Sequence, residues 1–167
     1  MHDDPSLVAL VDGNVFISVW RGPVDSGHLG ALRGAYAEAV GRNAPGGLGI
    51  VTLVTRSALG ARLEGELRRE AAATHASLRE HTLAMGLAVE GEGFQAAAAR
   101  SIITGVQLVA RGPRARVFDA LGPCCDWVVA ELAARGALRP GGLSDEAFAR
   151  RLEHHARQAG TQPLSPA

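Results

Sequence analysis

The first strongly hydrophobic stretches of the chain lie on either side of a short polar turn. Residues 7–10 and 15–20 are rich in strand-forming side chains, and Asp12, Gly13 and Asn14 stand between them. Aspartate, glycine and asparagine adopt the backbone conformations that a tight hairpin requires. The pattern predicts that the fold begins with two antiparallel strands.

The next two segments show a helical and then a strand-like pattern. Apolar residues such as Leu29, Leu32 and Tyr36 recur at intervals of three and four, which predicts an amphipathic helix that follows Ser26 and ends near Asn43. Residues 49–55 are almost continuously apolar over the length of one strand. A strand covered on both faces has this composition, so we expect it to be the central strand.

The same alternation continues to about residue 135. The pattern predicts helices over 58–79, 94–110 and 123–135 and strands over 83–89 and 115–118. The order of elements is therefore ββαβαβαβα. This order predicts an α/β fold with helices packed on a mixed β-sheet.

A further helix is predicted near the end of the chain, after the loop at 139–142. Ser144 is a favourable N-cap, and Asp145 and Glu146 suit the positive end of the helix dipole. We expect an α/β domain over residues 1–136, a C-terminal helical extension over 137–159 and a flexible tail over 160–167.

Composition excludes several classes of protein. Of the 167 residues, 47% are hydrophobic, and 17 acidic residues balance 17 basic ones, all of them arginine. The apolar fraction is too high for a disordered regulator, and zero net charge removes bulk attraction to nucleic acid or to a membrane. Because the chain contains no lysine, it has no residue for a Schiff-base mechanism or for the lysine of a Walker-type phosphate site. No signal peptide or membrane-spanning run is recognisable, so we expect a cytoplasmic protein.

The predicted third helix carries a candidate interaction surface. It is apolar over most of its circumference, and four arginines with no acidic residue lie between Gly93 and Phe118. Such a helix is either covered twice or presents a contact surface, and the alternative here is that the C-terminal helix covers it. The residues expected to contact a protein partner or a second copy are Arg100, Ile103, Val106, Gln107, Arg111 and Arg114.

No catalytic or metal-binding pattern emerges from the reactive side chains. Cys124 and Cys125 fall in the first turn of a predicted helix, where consecutive positions point about 100° apart, so we expect only Cys124 to face the core. No two histidines have the helical spacing of a zinc site, and His2 and His28 are isolated in sequence. We therefore predict no enzyme activity, no metal and no cofactor.

Three segments resemble the STAS domain family, including its SpoIIAA-like and SEC14-like bacterial members. Residues 15–22 look like the second strand of that family, residues 91–105 are similar to its third-helix entry, and residues 116–127 resemble its last strand and helix. The order of predicted elements is also that of STAS domains. The resemblance covers roughly residues 7–135 and implies a regulatory or protein-interaction module. The apolar pattern of the third helix adds the hypothesis that the protein self-associates through this helix. The alternative that the resemblance implies is a small-molecule or lipid-binding domain.

The resemblance also indicates a position for a regulatory phosphate. STAS antagonists that a kinase controls carry a serine or threonine after the central strand, and Ser57 occupies that place here. The surrounding residues, Arg56 and Ala58, differ from the acidic residue and glycine of the family pattern. A phosphate at Ser57 would be attracted by helix N-terminal amides and by Arg56. The alternative is that Ser57 serves only as a helix N-cap.

Overall fold

A computed structural model describes residues 2–43, 46–60, 65–78, 80–91, 97 and 114–161. Within this part the chain forms six β-strands, four α-helices and one 3₁₀ helix. The strands are β1 (His2–Asp3), β2 (Leu7–Asp12), β3 (Val15–Trp20), β4 (Leu48–Val54), β5 (Thr82–Val89) and β6 (Arg114–Phe118). The helices are α1 (Ser26–Asn43), the 3₁₀ helix (Arg56–Gly60), α2 (Gly65–Ser77), α3 (Leu121–Ala134) and α4 (Asp145–Thr161).

The six strands form one mixed sheet in the order β1-β2-β3-β4-β5-β6. The pairs β1/β2 and β2/β3 are antiparallel, whereas β3 to β6 are parallel. The two-residue turn of the hairpin contains Gly13, whose φ of 56° lies in the left-handed region that glycine adopts without strain. The predicted hairpin and the α/β class are confirmed.

Helices α1 and α2 cover one face of the sheet. Apolar residues of α1, including Leu29, Leu32 and Tyr36, pack with Phe16 of β3 and Ile50 of β4. The Tyr36 hydroxyl lies 2.7 Å from the Leu78 carbonyl and 2.7 Å from the Thr82 hydroxyl. Burial raises the pKa of this phenol, and the hydrogen bonds satisfy its polar group inside the core.

Helices α3 and α4 cover the opposite face. Phe148, Leu152 and Ala156 of α4 are buried together with Val128 and Leu132 of α3 in one hydrophobic cluster. The helix that the sequence pattern predicts as an extension after residue 136 therefore shares its core with the sheet and α3. Ser144 caps it as expected, since its Oγ lies 3.3 Å from the Ala147 amide.

Two polar residues at the hairpin tie α4 and its preceding loop to the sheet. Asn14 is fully buried, donates to the carbonyls of Gly47 and Ala137, and accepts from the Arg139 amide at 3.0 Å. Asp12 accepts two hydrogen bonds from Arg151 of α4, at 2.6 and 2.7 Å. These contacts fix where the last helix begins on the sheet.

Helix α3 approaches the central strands closely because two strand positions lack a side chain. A Cβ atom on Gly86 of β5 would lie 2.6 Å from the Cys124 sulfur, and one on Gly49 of β4 would lie 2.8 Å from Val128 Cγ1. Glycine inside a strand often marks this kind of close approach.

The structure differs from the sequence predictions in two further elements. β1 adds a sixth strand that the apolar pattern does not reveal, because it pairs with β2 through only two residues. The expected helix over 58–79 is replaced at its start by the 3₁₀ helix as far as Gly60, and the described part of α2 is Gly65–Ser77. The expected third helix, 94–110, lies outside the described residues apart from residue 97.

Candidate functional site

The candidate site lies where the parallel strands end. β3 and β4 are neighbours and run parallel, so the residues that follow Trp20 and Val54 meet at one edge of the sheet. In open α/β sheets this edge is where ligands and reactive groups are usually held. The turn after β4, which contains Ser57, lies here.

The turn that carries Ser57 is anchored on both sides of the serine. The amide and hydroxyl of Thr55 lie 3.0 and 2.9 Å from the Trp20 carbonyl, and the Ala58 amide donates to the Thr55 carbonyl. Ala58 is buried against the α1 side of the core, whereas Arg56 and Ser57 are exposed. Ser57 therefore lies at an exposed position on a hydrogen-bonded turn.

Ser57 occupies the second position of the 3₁₀ helix. The alternative interpretation makes it the N-cap of the helix predicted from Ala58, but Ser57 lies inside the 3₁₀ helix Arg56–Gly60 and not directly before it. Among the described residues, the Ser57 hydroxyl forms no hydrogen bond with a histidine or carboxylate that could activate it as a nucleophile. In the described part it is placed as an accessible hydroxyl rather than as an activated one.

The end of α4 reaches the same edge of the sheet. Arg21, the residue after β3, is buried and donates to the Ala159 carbonyl at 3.2 Å, near the negative end of the α4 dipole. Arg157 of α4 lies 2.7 Å from Glu153 and 3.8 Å from Glu90, which follows β5. The last turns of α4 therefore lie beside the carboxyl ends of the parallel strands.

Both cysteines are buried, which corrects the expectation that only Cys124 faces the core. Cys124 is 0% and Cys125 1% exposed. Cys124 lies against Gly86 of the sheet, whereas Cys125 is on the side of α3 near Glu153 of α4. Because α3 has a sheet on one side and a helix on another, it buries more than one stripe of its surface.

Burial makes these thiols unreactive. It raises the pKa of Cys124 far above the ordinary value, with a smaller effect from Cys125, and raises the pKa of Cys125 to about 12. Glu153 and Asp126 add to the effect on Cys125, and Arg157 opposes it. The thiolate is the nucleophilic form of cysteine, so this pair is poorly suited to covalent catalysis.

We expect neither thiol to react with iodoacetamide in the folded protein at about pH 8, where raising a thiol pKa from 9.0 to about 12 lowers its thiolate fraction about a thousandfold. Labelling should require unfolding in denaturant. The folded state holds both thiol protons more tightly than the unfolded chain. The contribution of the two thiols to the free energy of unfolding should therefore be fully present below about pH 8.5 and decrease above it. Rapid labelling of the native protein, measured by mass spectrometry, would contradict this assignment.

Most of the predicted partner surface lies outside the residues that the structure describes. The five residues concerned are Arg100, Ile103, Val106, Gln107 and Arg111. Arg114 is the first residue of β6 and pairs with Ala84 of β5. β6 is the last strand in the sheet order, and the guanidinium of its exposed Arg116 lies 5.1 Å from the centre of the Phe118 ring.

One cluster that the sequence analysis did not find lies beside Arg21. His28 of α1 contacts two aspartates, Asp4 and Asp25, and its ring is edge-on to Trp20. Asp25 directly precedes α1, as an N-cap residue does, and that position is a signal in the sequence. Nothing in the sequence places Asp4, 24 residues away, against the same imidazole.

An open groove runs between the start of α1 and α2. Its lining includes Asp25, Glu66, Arg69 and Glu70. Pockets for apolar ligands are lined mainly by hydrophobic and aromatic side chains, so this charged groove does not have their character. Within the described ranges, no group of three or more His, Cys, Asp or Glu residues is arranged to hold a metal ion.

No family model, curated protein or solved structure matches the chain. Of the helices in the described part of the chain, none combines the length and the apolar character needed to cross a membrane.

Proposed function

We propose that the protein is a STAS-like regulatory module that binds another protein and that phosphorylation of Ser57 controls this binding. The observation that carries the proposal is the position of Ser57. It is an exposed serine on an anchored turn, directly after a strand in the middle of the parallel sheet. This is the place that the STAS resemblance indicates for a regulatory phosphate.

The local electrostatics support a switch at this turn. A phosphate on Ser57 would add about two negative charges beside the exposed guanidinium of Arg56. Because the side chain points to solvent, the modification would leave the core intact and change mainly the surface that a partner meets. An effect on binding is therefore expected without unfolding.

The chemistry of the other reactive groups favours binding over catalysis. The cysteines are buried with raised pKa values, and in the described part Ser57 has no general base. The competing proposal, a small-molecule or lipid-binding domain, rests on the apolar third helix of the sequence analysis. The charged groove beside α1 supplies no support for it.

The partner surface that we propose includes the sheet edge at β6. Arg116 is exposed there, and Arg114 belongs to the same strand. Together with Arg100 and Arg111 of the preceding segment, they concentrate positive charge without an acidic residue. Guanidinium groups bind carboxylates and phosphates through paired hydrogen bonds, so an acidic or phosphorylated protein surface fits this edge.

We expect Ser57→Glu to change partner capture at least about tenfold, as charge changes at a protein interface commonly do. The tagged wild-type chain, Ser57→Glu, Ser57→Ala and the control Ser77→Glu are used to capture proteins and small molecules from extracts of the producing cell. Ser77 is also exposed, at the end of α2, so its variant adds the same charge elsewhere. Phosphopeptide mapping of the captured chain reports directly on Ser57.

Three outcomes would contradict the proposal. An unmodified Ser57 under every growth condition, with the same proteins bound by all four chains, would remove the switch. A co-purified small molecule without a protein partner would favour the ligand-binding alternative. Capture that changes equally for Ser57→Glu and Ser77→Glu would mean that the position of the charge has no role.

A further inference from the structure

His28 joins two carboxylates that belong to different parts of the chain. Its Nε2 lies 3.0 Å from Asp4 Oδ1, in the link between β1 and β2, and its Nδ1 lies 2.9 Å from Asp25 Oδ1, just before α1. The His28 side chain is 15% exposed, so water competes weakly for the ring nitrogens.

The contact with Asp4 holds the first strand in place. Asp4 Oδ1 also accepts the Ser6 amide at 2.8 Å, and the Asp4 carbonyl accepts a hydrogen bond from Arg21. β1 itself pairs with β2 through only two residues, opposite Val8 and Ala9. Backbone hydrogen bonds between Asp4 and Leu7, and from the Arg21 and Gly22 amides to the Ser6 carbonyl, also hold this link, so the His28 contact adds to them.

The number of protons on His28 determines whether both carboxylates can be attracted at once. A neutral imidazole has one N–H and one lone pair. If Nε2–H donates to Asp4, the Nδ1 lone pair lies 2.9 Å from an oxygen of Asp25, and the other tautomer directs its lone pair at Asp4. Only the imidazolium, with a hydrogen on each nitrogen, suits both neighbours.

The other charged groups around the ring do not replace this proton. Arg21 contacts the Asp4 carbonyl and Asp3, and His2 of β1 lies close enough to influence Asp4. The pKa of Asp4 is lowered, first by the Ser6 amide and then by His28, against an opposing effect of burial. Asp4 is thus ionised at neutral pH. The Nδ1 contact with Asp25 lacks hydrogen-bond alignment, so its effect is that of charge on charge.

We propose that protonated His28 helps to hold residues 2–6, and with them β1, against β2. When His28 is neutral, this attachment weakens. Histidine is the side chain on which pH-dependent contacts in proteins are most often built. Loosening β1 uncovers the outer edge of β2 at Val8 and Ala9. An uncovered strand edge can accept a further strand.

Hydrogen–deuterium exchange of the full chain tests this directly, read by mass spectrometry in peptides covering residues 2–10 at about pH 5.5 and about pH 8. After correction for intrinsic exchange rates, we expect protection in the wild type to be about fivefold lower at the higher pH, the size of a partly buried ion pair. His28→Gln should show the same protection at both pH values. His155→Gln, which alters a histidine on α4, should keep the wild-type difference.

Asp25→Asn separates the charge effect from folding. Asparagine caps a helix as well as aspartate does, so α1 should be retained while the repelling carboxylate is removed. We expect the pH-dependent difference in protection of residues 2–10 to be smaller in this variant than in the wild type, because only the contact with Asp4 then changes with the charge on His28. Equal protection at both pH values in the wild type, or an unchanged difference in Asp25→Asn, would overturn the proposal even if His28→Gln does not fold.

Discussion

Phe148→Ala is expected to lower the free energy of unfolding by about 3–5 kcal/mol, the usual cost of truncating a buried aromatic side chain. Phe148 is 0% exposed, packs near Gly13 of the hairpin turn, and has the Arg151 guanidinium 5.0 Å from its ring centre. Its removal leaves a cavity where α4 begins on the sheet. Urea unfolding followed by circular dichroism measures the change.

The matched control is Leu143→Ala, two residues before α4. Leu143 is 37% exposed, so its truncation should change stability by less than about 0.5 kcal/mol. Phe148→Ala should still unfold in one cooperative transition, since α3 and α4 share one cluster. A separate early transition of the last helix, or a loss below about 1 kcal/mol, would mean that α4 is the independent extension that its sequence pattern predicts.

Gly86→Ala is expected to destabilise the protein by about 1–3 kcal/mol through overpacking. The added methyl would lie 2.6 Å from the Cys124 sulfur and 2.8 Å from Val128, so α3 must move away from β5. Gly34→Ala on α1 is the control, because its Cβ meets nothing within 4 Å. That change should stabilise the chain by about 0.5–1 kcal/mol, since alanine favours the helix. Thermal unfolding would give shifts of opposite sign.

A double-mutant cycle tests whether the destabilisation comes from the contact between the new methyl at position 86 and the Cys124 sulfur. Cys124→Ala removes the sulfur that the new methyl would meet, so Gly86→Ala should cost about 1 kcal/mol less in the Cys124→Ala background. Additive effects of the two changes would show that the α3–β5 contact is looser than the structure indicates. A stabilising Gly86→Ala in the wild-type background would contradict the close approach altogether.

Local patterns in the sequence were sufficient for the elements whose neighbours in space are also neighbours in sequence. The hairpin from Leu7 to Trp20 follows from two apolar strands and a turn of suitable residues. Helix α1 follows from its apolar spacing and ends at Asn43 as expected, although it begins at Ser26, which was expected to precede it. The Ser144 cap is recognisable for the same reason, because a cap bonds to its own first turn.

Other features depend on which surfaces meet, and here the sequence prediction was incomplete or wrong. One apolar stripe on α3 was expected to bury Cys124 alone, but a second cover, α4, buries Cys125 as well. The helix predicted from Ala58 was wrong at its start, because the apolar stripe includes residues that form the 3₁₀ helix. Ser57 was selected from its place after the central strand. Its exposure was decided by Ala58, which anchors the turn in the core.

The sequence by itself determined the α/β class, the hairpin, the first and last helices and the absence of lysine chemistry, because these depend on composition and on contacts within a few residues. Only the tertiary structure decided that α4 completes the core, that Gly86 admits α3, and that Asp4 and Asp25 share His28. Those arrangements join residues far apart along the chain. Their free energy comes from packing and charge contacts that exist only once the sheet has formed.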